Sequence, residues 1–255
     1  MNNQSQATLR ADYGIDAPNV LRNFFLYGVL CLLMATFGPK HIHLGSVDIG
    51  LHSTFLITGV VLVAEGFLFL GYVKFGKLKH RDAMLSLHHW DGTEQVLDVG
   101  CGRGLLLAGA ARRLAALAGA GHVTGIDIWS NEDMGGNSEA ATRRNLELEG
   151  ISERCTLVGT PAQEMAFPDA SFDVIVSNLC LHNIYDRDTR RRAVQQITRV
   201  LKPGGVAILS DYKRTGEYAA QLRAAGLAVE RRWGNILYTF PPLRIVLARK
   251  AARPL

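Results

Sequence analysis

The chain has 255 residues, 48% of them hydrophobic and 20% charged, and 28 Lys and Arg against 23 Asp and Glu give a net charge of +5. That exceeds the roughly 100–200 residues of a single domain, so a domain with an appendage is expected. Basic residues are spread along helix faces, as in Arg143-Arg144 and Arg190-Arg191-Arg192, rather than gathered into the stripe that a nucleic-acid partner requires, so no such partner is expected.

Cys31, Cys101, Cys155 and Cys180 show neither paired spacing nor Cys-x-x-Cys. No disulfide framework and no metal site is expected from them, and reduced thiols suit a cytosol-facing domain.

The first apolar run, Phe24 to Phe37, reaches membrane length by including Val20, Leu21, Arg22 and Asn23, with Arg22 snorkelling to the interface. Pro39-Lys40-His41 follow it without a small-residue cleavage site, which argues against a signal peptide. After the loop Gly38 to Gly50, the second run covers the 23 residues from Leu51 to Val73, with Glu65 its one formal charge. A helix of that length spans the roughly 30 Å of hydrocarbon. Glu65 falls near the midplane, where a charge costs roughly 3 kcal/mol. Residues 1–82 are therefore read as a membrane hairpin, with spans at about 20–38 and 51–73, and residues 83–255 as the second domain. The other reading is a pair of helices packed on the soluble domain, or a hairpin in one leaflet. A short linker, Val73 to about Met84, joins the two parts. Arg10 and Arg22 precede or open the first run, Lys74, Lys77, Lys79 and Arg81 follow the second, and only Lys40 lies between. Positive charge stays inside, so both ends and the second domain are expected in the cytoplasm.

From about residue 83 strand and helix signals alternate, the pattern of a parallel sheet covered on both faces. The strand Gln95–Val99 ends on Asp98-Val99 and turns through Gly100-Cys101-Gly102-Arg103-Gly104. Glycine at such a turn lets a ligand approach the backbone, and the helix Leu105–Ala118 points the positive end of its dipole there. Val123–Asp127 is a second strand with an acidic end. Asn137-Ser138 cap a helix over Glu139–Glu149, with Asn137 reaching a ligand as the alternative. Further strands are Cys155–Gly159, Val174–Ser177 and Val206–Ser210. The helix Asp188–Leu201 stops at Lys202-Pro203-Gly204-Gly205. A short helix, Gly216–Ala225, and the strand Arg244–Arg249 close the sheet with one antiparallel member.

The run Val96-Leu97-Asp98-Val99-Gly100-Cys101-Gly102-Arg103-Gly104, the acidic end at Asp127, Phe167–Asp173 with Val174–Asn178, and Val200–Gly205 with Val206–Ser210 stand in one order. Together they resemble the class I S-adenosylmethionine-dependent methyltransferases. A dinucleotide-binding oxidoreductase is disfavoured, since the turn reads G-x-G-x-G and not G-x-G-x-x-G. The tract Trp129 to Asn137 is unusual beside ordinary members. The resemblance implies an α/β fold with a Rossmann-like seven-stranded methyltransferase sheet of strand order 3-2-1-4-5-7-6, and S-adenosyl-L-methionine as cofactor.

Ligands of such sheets bind beyond the carboxyl ends of the strands, where strand order reverses. The resemblance then implies that Gly100, Cys101, Gly102 and Gly104 meet the methionine part of the cofactor, with Asp98 beneath them. Asp127 takes the ribose hydroxyls, Ile128 or Trp129 packs on adenine, and Thr160, Pro161 and Ala162 reach its edge. Many members carry aspartate where Thr160 stands, so the amine contact there falls to a backbone group. Ser177 and Asn178 lie near the methionine amino group and the acceptor. His182 is a candidate general base, and Asp211 and Tyr212 are candidates to bind or polarise the acceptor. Asn178 is followed by Leu-Cys-Leu, not Pro-Pro-Tyr, so adenine and glutamine nitrogens are not expected targets. The expectation is a membrane-anchored methyltransferase for a small lipophilic acceptor, with membrane lipid as its other partner and no metal. The alternatives are a lipid headgroup N-methyltransferase, using the arginines after Asp188 for phosphate, and a non-catalytic S-adenosylmethionine-binding subunit.

Overall fold

The computed structural model describes residues 10–130 and 135–252; residues 131–134, inside the unusual tract after Trp129, lie outside the described set. Helix α1 (Pro18–Phe37) opens on a proline, whose missing N–H has no intrahelical partner to lose in the first turn. A two-stranded antiparallel ribbon, β1 (His41–Leu44) and β2 (Val47–Gly50), reverses the chain into α2 (His52–Gly71). Each helix has 20 residues, about 30 Å at 1.5 Å per residue, and both are long and apolar enough to cross a membrane.

The helices meet where their side chains are smallest. A Cβ on Gly28 would stand 2.8 Å from Val63, and one on Gly59 would stand 2.8 Å from Leu32 and 3.0 Å from the Gly28 carbonyl. Close backbone approach of this kind is how helices associate where water gives no hydrophobic drive. Gly28, Ala35, Gly59, Gly66 and Phe69 are buried, whereas Leu26, Leu30, Ile57 and Phe67 face outward and exposed. The hairpin thus buries little beyond its own seam, unlike a helix pair packed into the soluble domain. Only its lower end docks, where Phe69, Tyr72 and Val73 cluster with Leu243, Leu21 and Phe240.

The linker expected between Val73 and Met84 is instead helical. From α2 the chain runs through one π turn, Tyr72–Gly76, into α3 (Lys77–Leu85). Met84 and Leu85 are fully buried in the second domain. The His80 ring lies 2.7 Å from Ser210 Oγ, and Lys77 Nζ donates to the Tyr13 carbonyl at 2.9 Å and to that of Gly14. The boundary expected at 82/83 falls inside this helix. Spacing alone could not reveal it, because α3 is held by partners far away in sequence.

The main sheet comprises β3 (Gln95–Val99), β4 (His122–Asp127), β5 (Cys155–Gly159), β6 (Phe172–Asn178), β7 (Leu201–Asp211), β8 (Ala228–Trp233) and β9 (Arg244–Arg249). Its order is β5-β4-β3-β6-β7-β9-β8, with β9 the antiparallel member. Counted within this sheet, that is the order the resemblance implies. Helices α4 (Leu105–Ala116), α5 (Glu139–Leu148), α6 (Arg187–Val200) and α7 (Thr215–Ala224) cover it. Alternation along β3 sends Leu97 and Val99 into one apolar layer with Val194, Ile197 and Tyr218, and Val96 into the other with Leu107, Met84 and Leu85.

Two local readings change. Helix α6 does stop at Val200, but Lys202 to Gly205 belong to β7, with Leu201 paired to Phe172 and the Gly204 N–H donated to the Lys250 carbonyl at 3.0 Å. Arg190 is not on a solvated face. It is fully buried, and its guanidinium holds the Tyr185 carbonyl at 3.2 Å and both Glu217 oxygens at 3.1 and 3.2 Å.

Candidate active site

The chain leaves β3 toward β4 on one side and β6 lies on the other, so a crevice opens at their carboxyl ends. A cavity of about 700 Å³ occupies it, bordered by Asp98, Gly100, Gly102, Asp127, Thr160 and Asn178 among others. Gly100 is required twice over: its φ is +73°, and a Cβ there would stand 2.2 Å from Cys180 Sγ. The peptide turns here so that the Gly102 N–H donates to Asp127 Oδ2 at 2.7 Å. Asp127 Oδ1 accepts the Trp129 N–H at 2.6 Å. Each carboxylate oxygen keeps a further lone pair, on the residue that ends β4 at the cavity wall.

Asp98 lies beneath the turn, 1% exposed, and accepts the Leu107 N–H at 2.9 Å, which also caps the first turn of α4. Burial raises its carboxyl to about 8, with the Leu107 bond lowering it and the Asp127 charge adding to the rise. It is therefore protonated at neutral pH. Its Oδ1 has no hydrogen-bond partner among the described residues.

Gly100, Cys101, Gly102, Asp127, Ile128, Thr160, Pro161, Ala162 and Asn178 all border the cavity, as do His182 and Tyr212. Four expected contacts lie elsewhere. Gly104 is the N-cap of α4, at φ +87°. Trp129, itself at φ +47°, turns its indole N–H to the Gly102 carbonyl at 3.3 Å and Thr142 Oγ1 at 3.1 Å, bracing the glycine turn from behind. Ile128, 65% exposed, stays at the cavity border. Ser177 spends its hydroxyl on the Val99 carbonyl at 2.8 Å, tying β6 to β3. Asp211 is 1% exposed and stands behind His182, not at the cavity. Thr160 donates its hydroxyl to the Glu164 carbonyl at 3.1 Å and its backbone N–H to the Asp127 carbonyl at 3.2 Å, so of its polar groups only its own carbonyl is left for a ligand.

Asn137 takes the cavity-facing place given as its alternative, and sequence reasoning missed several other walls of this cavity. Ser138 alone caps α5, accepting from Ala141 N at 3.1 Å, and Asn137 faces the cavity with Oδ1 unpaired among the described residues. The segment 10–17 lies across the opening. Asp12 pairs with Arg103 at 2.9 Å and accepts from Gly14 N, its backbone bonds Asn145 in both directions, and the Tyr13 hydroxyl donates to Glu149 at 2.9 Å. Tyr13, Asp16 and Ala17 then face the cavity. The far wall is apolar and comes from the helix hairpin and the loop before β9, through Val20, Phe24, Phe69, Tyr72, Phe240 and Pro241. Phe240 packs against both Phe24 and Phe69, at ring separations of 6.3 and 6.4 Å.

A doubly covered sheet of this order, with a glycine turn after β3 and acidic residues at the ends of β3 and β4, defines the class I methyltransferase fold. Residues 97–209 match the methyltransferase domain family, and the chain carries a domain of that family. A sterol 4-C-methyltransferase of Caenorhabditis elegans is 36% identical over 152 residues, 57% of this chain and 41% of that protein. A ubiquinone/menaquinone biosynthesis C-methyltransferase of Vibrio campbellii is 36% identical over 121 residues, 48% of this chain and 42% of that protein. The chain thus spans less than half the length of these relatives. Among solved structures, an S-adenosylmethionine-dependent methyltransferase of Aquifex aeolicus shares the fold, with TM-score 0.51, 18% identity, and coverage of 66% of this chain and 88% of that one. S-adenosylmethionine is the cofactor of this class. The site fits it: the glycines of the turn at 100 and 102, a carboxylate at the end of β4, and the unpaired Oδ1 atoms of Asn137 and Asn178 all border one cavity.

Proposed function

We propose that this protein transfers a methyl group from S-adenosylmethionine to a small lipophilic acceptor at a membrane surface. One observation carries the reading. The cavity that begins at Asp127 and the glycine turn continues past His182 and Tyr212 to Phe24 and Phe69, on helices long and apolar enough to span a bilayer. A polar cofactor suits its first half and an apolar molecule its second. The names of the two relatives, a sterol and a quinone methyltransferase, support the same substrate class.

The bound cofactor supplies a methyl on a sulfonium, an excellent leaving group, so the chain's own work is positioning and any proton removal. Asp127, positioned by the Gly102 N–H, would take the ribose hydroxyls, and the glycines of the turn would leave room for the methionine side. His182 borders the acceptor half and has Asp211 Oδ1 2.9 Å from its Nδ1. Proton acceptance by His182 is the role this pairing supports. Of the arginines after Asp188 that the lipid headgroup alternative relies on, Arg190 is committed to Glu217 and to loop carbonyls.

On the same reading the hairpin spans the membrane with the sheet domain on the cytoplasmic side, in keeping with the lysines and arginines that follow α2. The test is transfer of isotope from methyl-labelled S-adenosylmethionine into a total-lipid extract by the full chain in vesicles. Label in the lipid phase is expected. Cofactor binding with no labelled lipid would overturn the reading in favour of a binding subunit.

A further inference from the structure

Residues 234–243, between β8 and β9, form a loop that meets the lower end of the hairpin. The Gly234 N–H donates to the Leu243 carbonyl at 2.8 Å and closes the loop at its base. Asn235 then builds the tip. Its Oδ1 accepts the Leu237 N–H at 2.9 Å, and its carbonyl accepts the N–H groups of Tyr238 and Thr239, each at 3.2 Å. An asparagine turn of this kind fixes the backbone locally, and here it holds two apolar side chains outward, Ile236 at 65% and Leu237 at 88% exposed. Trp233, just before the loop, is also exposed, with the Arg244 guanidinium 3.9 Å over its ring.

Two contacts set the height of this loop against the hairpin. A Cβ on Gly76 would run into the Tyr238 carbonyl, so the loop lies directly on the backbone of the π turn. The Phe240 ring packs on Phe24 and Phe69. Phe69 is two residues from the end of α2, about 3 Å along the helix axis, and Phe24 is six residues from the start of α1, about 9 Å. The loop is therefore level with the last turns of the hairpin. The π turn adds Phe75, 71% exposed, with exposed Lys74 beside it and exposed Lys79 just beyond. Neither 66–81 nor 233–249 contains an aspartate or a glutamate. Single exposed apolar residues are ordinary, but several at one corner mark a contact surface. At this level a water-soluble partner would have to displace lipid, and the local charge is positive only.

We propose that Phe75, Trp233, Ile236 and Leu237 form a second membrane contact, which sits in the headgroup–acyl boundary of the leaflet from which the hairpin emerges. This rests on the reading of α1 and α2 as spans. The apolar tip enters the edge of the hydrocarbon, the indole takes the interfacial level that tryptophan favours, and Lys74 and Lys79 face anionic headgroups. β9 begins at Arg244, opposite the Asp211 that ends β7, so the loop stands at the same end of the sheet as the crevice. Phe240 and Pro241 of this loop also border the cavity. The contact therefore presses the apolar lip of the cavity against the lipid, where a lipophilic acceptor leaves the bilayer.

The test places the full chain in phosphatidylcholine–phosphatidylglycerol vesicles whose phosphatidylcholine is brominated either near the carbonyl or near the methyl end of its chains. Leu237→Trp adds an emission at the tip. Leu117→Trp adds one at the end of α4, beside Gly92 and the amino end of β3, as the control. An interfacial side chain lies about 5–10 Å into the boundary, so the shallow bromines should remove about half of the added emission at 237 and the deep ones little. The emission added at 117 should be untouched by either. Trp233→Phe gives an independent reading, since it should delete an emission that the shallow bromines quench. Carbonate washing of the same vesicles reports on the spans separately. Retention with no quenching at 237 or 233 would overturn the second contact and leave the spans standing. Emission shielded from bromine but sensitive to the protein-to-lipid ratio would assign the corner to a second copy of the chain and overturn it too. Release by carbonate with quenching preserved on the unwashed vesicles would reject the spans and uphold the contact with lipid.

Discussion

Asp211 Oδ1 lies 2.9 Å from His182 Nδ1, and Asp211 Oδ2 takes the backbone N–H of the same histidine at 3.3 Å. The Nδ1 contact is short in distance but off the straight hydrogen-bond direction. Tyr212 N at 2.8 Å, Lys213 N at 3.3 Å and the Tyr218 hydroxyl at 3.2 Å also donate to this carboxylate. A general base contributes about 10²–10⁴-fold. His182→Ala should therefore lower kcat at least about a hundredfold while S-adenosylmethionine affinity stays put. Asp211→Asn should lower kcat less, because an imidazolium formed during the reaction loses its counter-charge. Steady-state kcat of both variants checks this, and a wild-type kcat in His182→Ala would remove His182 from the chemistry.

Asp127 should be the largest single contributor to cofactor affinity. Asp127→Ala removes a charged acceptor of the ribose hydroxyls and releases the Gly102 N–H that shapes the turn. The expected loss is about 1.5–3 kcal/mol, roughly ten- to a hundredfold in Kd by titration calorimetry. Gly102→Val should bind worse still, since a β-branched residue is strained at φ +50°.

Asp98 predicts how the cofactor-free protein responds to pH. Its folded carboxyl is raised to about 8 by burial, against an ordinary value of 3.8. Between those values the folded state holds a proton that the unfolded state has lost, so stability falls as pH rises from about 4 to 8. Asp98→Asn keeps an oxygen for the Leu107 N–H and removes the titration. Thermal midpoints measured across that range should slope less in the variant than in the parent.

Arg190 should matter for stability rather than for ligand binding. Arg190→Met strands the Tyr185 carbonyl and uncouples Glu217, itself 24% exposed, and loss of hydrogen bonds to a charged group costs about 1.5–3 kcal/mol. Denaturant midpoints should drop accordingly. A neutral effect would mean that solvent reaches Glu217 easily enough to replace the guanidinium.

Membrane insertion predicts retention of the full chain in the pellet after alkaline carbonate washing. A tag at either terminus should be cut by protease only in broken cells. Carbonate release would show that the outward faces of α1 and α2 are covered by protein instead.

The sheet was legible because its signals are local. Leu97 and Val96 alternate into opposite layers, acidic residues end two strands, and glycines mark the turn between them. The same locality misled at Trp129, whose neighbour Asp127 pins its backbone at positive φ and turns the indole behind the glycine loop. It also misled at Arg190, which reads as one more arginine on a polar helix until Glu217 arrives from α7 to bury it. The segment around Tyr13 and Asp16 carried only a glycine and a following proline as cues. Its place over the cavity depends on Lys77, 64 residues on from Tyr13, reaching back for the Tyr13 carbonyl. Tyr72 fell within an apolar run, where nothing in the pattern separates a lipid-facing tyrosine from one aimed at a cavity.

The unbroken path from His52 through the π turn to Leu85 has a mechanical consequence. A helix hydrogen-bonded along its whole length resists bending, and α3 is clamped into the sheet domain by Met84, Leu85 and His80. Where the hairpin crosses a bilayer, the height of the crevice above the headgroups is then set by the number of residues between α2 and the sheet, as a beam's length sets the height of a platform. Acceptors should therefore be sorted by how far their reactive atom can rise from the lipid. Adding or deleting one helical turn between Val73 and Lys77 would retune that reach by about 5 Å and rotate the domain little.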